Sequence, residues 1–182
     1  MRIHKMLRKF SGVSVIITIT LACVKVPKEE TFLPSKNAFT ADAEHIDPAT
    51  ALLSDGFETC NELIFQYYNP KPARYSSGKN GLRKFIMSKY VNKNYPDSGY
   101  LNIRFVINCH GKPGRYVIHE NDLDLSPTSF TKELTEQLVT LTTQLQEWEP
   151  NLFTTDSTSS YVDSYMYISY RIEHGNITEI LP

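Results

Sequence analysis

The sequence predicts an α+β domain. It is an antiparallel sheet of about three to four strands with two helices packed on one face, preceded by a signal peptide and a flexible tether. Three observations carry this. Leu101, Ile103, Phe105 and Ile107 alternate with Tyr100, Asn102, Arg104, Val106 and Asn108, a two-residue period that gives a strand one dry row and one wet row. Phe130, Leu134, Leu138, Leu141 and Leu145 are spaced by three and four, the apolar stripe of a helix. An apolar run, Val13 to Ala22, follows a head with four bases, Arg2, Lys5, Arg8 and Lys9. That is the layout of an export signal.

The apolar run is shorter than the roughly 20 residues a membrane-spanning helix needs. It ends in Ala22-Cys23. A small residue directly before a cysteine resembles the processing site of bacterial lipoproteins, which implies cleavage before Cys23 and its acylation. The alternative is ordinary secretion with Cys23 incidental. Acyl chains bury CH₂ groups in the bilayer, and more than one chain gives stable anchoring. The expected organisation is therefore 1–22 signal peptide, 23–54 tether and 55–182 folded domain. The tether carries Lys, Glu, Pro, Ser and Thr without a sustained period, and Pro27, Pro34 and Pro48 punctuate it.

The whole chain has 19 bases and 20 acids. The first 22 residues hold four of those bases and no acid, which leaves 15 against 20 and a net charge of about −5. A basic footprint for nucleic acid is absent, so no nucleic-acid partner is expected. Besides Cys23 the cysteines are Cys60 and Cys109. In an exported chain an even remaining pair points to a disulfide, the alternative being two buried thiols. Cys109 continues the dry row of Leu101 to Ile107, so its sulfur is expected to point to the core. With no CxxC or HxxxH spacing, neither a metal nor a cofactor is expected.

Along the folded part, Leu63, Ile64, Phe65, Tyr67 and Tyr68 are too apolar for a tether, and Asn69-Pro70-Lys71-Pro72 ends that element. Leu82, Phe85, Ile86 and Tyr90 mark a helix over about 81–91. The central strand breaks at His110-Gly111-Lys112-Pro113-Gly114, and a second strand over 115–120 makes a hairpin with one wet face. Ser126 and Pro127 suit the N-cap and first position of the second helix. Trp148 extends its stripe and Pro150 closes it. The Thr/Ser-rich 151–160 is expected to be a loop. Met166, Ile168, Tyr170 and Ile172 then alternate with Tyr165, Tyr167, Ser169 and Arg171 in a strand over 161–173. Glu173-His174-Gly175-Asn176 turns the chain into a short last strand, 177–181.

No nucleophile elbow, phosphate loop or EF-hand pattern is present, and no enzyme activity is expected. The outward row of the late strand offers Tyr165, Tyr167 and Arg171, residue types common at protein interfaces. They are the candidate partner-binding residues. The plainer alternative is cross-strand pairing on a wet sheet face. Asp156-Ser157-Thr158 resembles a short O-glycosylation sequence of secreted Bacteroidetes proteins.

In order along the chain stand Tyr75-Ser76-Ser77-Gly78; Leu82, Phe85 and Ile86; Tyr95-Pro96; Gly99; Phe105-Val106-Ile107-Asn108 with Gly111; and Trp148-Glu149-Pro150. This succession, covering about Tyr75 to Ile172, resembles the C-terminal domain of TonB-type energy transducers in the form common in Bacteroidetes. The resemblance implies a TonB-like α+β fold. The energy-transducing role is not carried over, because a signal and a short tether stand where a transducer has a membrane helix and a long Pro-rich linker. The function expected is that of an outer-membrane-anchored envelope lipoprotein, on the periplasmic or the surface face, held to the membrane through Cys23. Its domain would bind envelope proteins non-enzymatically by β-strand addition. The alternative is glycan or peptidoglycan binding through an exposed tyrosine platform.

Overall fold

A computed structural model describes residues 45–68 and 71–181. The export signal, Cys23 and most of the expected tether lie outside the described residues. The elements in chain order are β1 (Arg74–Tyr75), α1 (Gly78–Lys89), β2 (Gly99–Ile107), β3 (Pro113–Asn121), α2 (Lys132–Thr143), β4 (Trp148–Glu149), β5 (Asn151–Thr154), β6 (Ser159–Val162), β7 (Ser164–Glu173) and β8 (Asn176–Leu181). The main sheet is antiparallel in the order β3-β2-β7-β8. Two further antiparallel pairs, β1-β4 and β5-β6, stand beside it. The fold is α+β, as the sequence predicts.

The dry row of β2 and the row Met166, Ile168, Tyr170 and Ile172 of β7 meet Leu82 and Ile86 of α1 and the Leu134, Leu138, Leu141 and Leu145 stripe in one core cluster. Phe105 stacks on Tyr116, with centroids 5.0 Å apart, and meets Trp148 edge to face at 5.4 Å. The Trp148 indole N–H donates to Leu145 O at 2.6 Å, so its polar edge is satisfied where the ring is buried. Tyr170 and Thr142 share a buried hydroxyl–hydroxyl bond of 2.7 Å.

Both helices start elsewhere than the pattern suggests. The first runs Gly78–Lys89, before the expected 81–91. The second starts at Lys132, not after Ser126. Pro127 instead bridges Asn121 on the β3 edge, with Asp122 N donating to Ser126 O and Thr128 N to Glu120 O. Asp122 Oδ1 accepts from the amides of Asp124 and Ser126 and closes this loop. Distant carboxylates then serve the start of α2: Asp97 accepts from Thr131 N, and Glu120 from Phe130 N and the Thr135 hydroxyl. These bonds fix Phe130 and Thr131, the two residues that lead into the helix, and so set where α2 begins.

The expected loop 151–160 is a hairpin, β5-β6, with Asn151 paired to Val162. Thr and Ser tolerate strand geometry, and the Thr155–Thr158 turn is closed by its own hydroxyls. The Asp156-Ser157-Thr158 sequence therefore sits on an exposed hairpin tip. The β7–β8 turn holds His174 and Gly175 at φ 49° and 70°, the paired left-handed conformation of a type I′ hairpin.

The opposite sheet face is not uniformly wet. Segment 45–68 lies across part of it, and Ile46, Phe57, Val106 and Tyr165 form a second buried cluster. Ile46 and Leu52 fall in the expected tether, yet Ile46 is buried and Leu52 pairs with Tyr116 through two 2.9 Å backbone bonds. The packed domain thus begins by Ile46, earlier than residue 55. A few apolar residues in an otherwise polar stretch show no period, because the chain here is a succession of turns with no repeating geometry.

Candidate functional site

The predicted disulfide is present: Cys60 and Cys109 are bonded, with Cα atoms 6.0 Å apart. The Cys109 sulfur does not join the core. The strand ends at Ile107, so Cys109 lies half-buried in the β2–β3 turn, beside exposed Cys60. Two side chains build this corner. Fully buried Asp163, between β6 and β7, accepts from Cys109 N at 2.8 Å and from Asn61 N at 2.9 Å. Buried Asn108 donates to Glu58 O and accepts from the amides of His110 and Lys112. Asp163 gave no sign of this in the sequence, where it is one more polar residue after a Ser/Thr run.

Tyr165, Tyr167 and Arg171 do share one row of β7, but not one exposed patch. Tyr165 is 6% exposed under segment 45–68, with the Arg104 guanidinium 5.5 Å from its ring centroid. Tyr167 is half-buried and meets Tyr67 edge to face at 4.9 Å; Tyr67 meets Tyr68 likewise at 5.3 Å. Tyr68 is 70% exposed. These two tyrosines were legible as too apolar for a tether, but nothing local showed that they lie against β7. Arg171 lies farther along, ion-paired with Glu173 at 2.8 Å. Its neighbours are Ser169 and Asn102, which hydrogen-bond at 2.6 Å. The remaining open face is therefore polar. His119 lies on it, and partial burial and then the Arg104 charge lower its pKa.

The two outer edges of the sheet differ. On β3, Tyr116 is paired by Leu52, and the far end is closed by Ser126 to Thr128. On β8, no described residue outside β7 pairs with the backbone. The phase of this edge follows from Phe65. Its carbonyl accepts from Tyr165 N at 2.9 Å on the side of β7 away from β2. By alternation Ser169 and Arg171 also point that way, toward Leu181 and Glu179. Ile180, between those two, then directs its N–H and C=O outward. Tyr167 falls between Phe65 and the end of β8, and its backbone groups face the same side with no described partner. Glu179 and Leu181 are exposed along this edge, whereas Ile177 and Ile180 turn their side chains into the core.

No family model, curated protein or solved structure matches the chain.

Proposed function

We propose that this chain is an envelope lipoprotein, anchored at the outer membrane through Cys23, whose TonB-like domain binds an extended segment of an envelope protein by strand addition. The observation that carries this reading is the open edge of β8, a row of backbone donors and acceptors with no described partner. The element order α1-β2-β3-α2-β7 supports the TonB-like reading. A strand laid on β8 runs beside Glu179 and Leu181, with Arg171 in the strand behind and Tyr167 and Tyr67 past the end of β8. Tyr165 is too deeply covered to read a side chain, so the binding role passes to Tyr67. The Tyr67, Tyr68 and Tyr167 rings meet edge to face and give a sugar no flat platform, which favours peptide over glycan.

Deleting 176–182 is a poor test, because Ile177 and Ile180 belong to the core. A photoreactive residue at Glu179, compared with one at Arg83 on exposed α1, is cleaner. The expected outcome in native envelopes is partner capture at 179 only, with protection of the Ile180 amide from exchange when the captured segment is added as a peptide. Capture at 83 with no protection at Ile180 would sink strand addition.

A further inference from the structure

We propose that Cys60, Cys109 and His110 form a latent site for one zinc(II)-class ion, opened when a dithiol reduces the Cys60–Cys109 bond. The two sulfurs and a His110 ring nitrogen all lie within 4.8 Å of one another. A tetrahedral zinc with Zn–S of about 2.3 Å and Zn–N of about 2.0 Å needs its sulfurs about 3.8 Å apart, well inside that envelope. Once the S–S bond is cut, a small rotation of the two cysteine side chains supplies this separation.

The frame that holds the ligands together does not depend on the disulfide. One buried carboxylate, Asp163, binds the backbone amide of Cys109 and that of Asn61, the residue after Cys60. Asn108 ties Glu58 O to the amides of His110 and Lys112. Breaking the covalent bond thus leaves both chain segments of the corner docked on the Asp163 carboxylate, through charge-assisted bonds of the stronger kind. His110 is exposed at the turn and free to rotate its ring toward the sulfurs.

The chemistry balances. The thiolate of the dithiol attacks the exposed Cys60 sulfur, and Cys109 leaves as thiolate. The second thiol of the reductant closes its own disulfide and frees Cys60. The protein gains two thiols and the reductant is oxidised to a cyclic disulfide. Ion binding then releases both thiol protons to solvent, neutral His110 gives the third ligand, and water fills the fourth position. The oxidised form has no thiolate to offer, so the site is gated by redox state. The inference stands apart from the strand-addition reading, which uses the β8 edge, whereas this corner lies at the β2–β3 turn.

The test uses the full chain carrying Cys23→Ser, so that no third thiol competes, with cobalt(II) as the optical probe and zinc(II) as competitor. The reduced protein is expected to bind one cobalt per chain with thiolate-to-metal charge-transfer absorption, which zinc abolishes. The oxidised protein and a Cys60→Ser/Cys109→Ser variant are expected to show none. His110→Ala should weaken binding by more than the roughly 10–100-fold that loss of an outer-shell partner costs. A reduced protein with no charge-transfer band overturns the proposal, as does equal affinity in His110→Ala or one ion shared between two chains. Loss of exchange protection at the Cys109 and Asn61 amides on reduction alone would show that the frame is not prebuilt, and overturns it equally.

Discussion

The two faces of the sheet are covered by different physical means. On one, α1 and α2 present periodic stripes, satisfy their own backbone hydrogen bonds and bury the large cluster around Ile103, Ile168 and Leu138. On the other, segment 45–68 is irregular and contributes a small cluster with Ile46 and Phe57. An irregular strap pairs its own amides only in local turns such as Asp47–Ala51 and Ser54–Phe57, so the rest of the protein provides further partners for it: Leu52 with Tyr116, Phe65 with Asp163 and Tyr165, Asn61 with the Asp163 carboxylate, and the covalent link at Cys60. Helices hold by area, the strap by discrete attachments. The strap should therefore detach piece by piece, whereas the helix side should fail all at once.

Leu138→Ala should have the largest effect, a loss of about 3–5 kcal/mol, because the side chain is completely buried at the centre of the helix layer. Exchange protection should fall across both faces together, measured by native-state hydrogen exchange. The Cys60→Ser/Cys109→Ser protein should lose about 2–4 kcal/mol in chemical denaturation, the range for a closed loop of this size. Its faster exchange should be confined to 45–68 and should spare the Asn61 amide, which Asp163 still holds. Collapse of β2 and β7 protection as well would mean that the two faces are not energetically separate.

Asp163→Asn comes next. An amide keeps one acceptor but turns an NH₂ donor toward the second backbone N–H, and an unsatisfied buried donor costs about 1–3 kcal/mol. A melting curve of this variant close to that of the parent would show that the carboxylate is not an attachment point. Alkaline pH sharpens the comparison from the helix side. Burial first, then Tyr95 and Asp97, pushes the Tyr90 pKa up to about 12, and burial raises Tyr116 and Tyr170 too. The neutral phenols are the favoured native form. Their stabilisation is complete below the ordinary tyrosine pKa of about 10 and is lost as pH rises through the raised values. Stability should fall above pH 10, and Tyr90→Phe should make that fall shallower in denaturant titrations at fixed pH, although it also removes the bond to Gly175 O. The smallest effect belongs to Tyr67→Ala, about 1 kcal/mol for an edge-to-face pair, with the weakened protection limited to the strap around Phe65.

The regular half of this protein was written in its sequence. Leu101 to Ile107, Leu134 to Leu145 and Met166 to Ile172 carry period two or near 3.6 over enough residues that only a strand or a helix buries them on one side. The disulfide followed from the cysteine count and the export that the N-terminal sequence leads one to expect. What the tertiary structure decided is where irregular chain meets that frame. Tyr165 and Tyr167 stand two apart in one outward row, yet the strap buries the first and leaves the second at an edge. Asp97, Glu120 and Asp163 became partners for amides far along the chain, which moved the start of α2 and fixed the disulfide corner. Local periodicity reports only which side of an element is apolar. Which polar group ends beside which amide depends on contacts between residues distant in sequence, and those exist only once the sheet has formed.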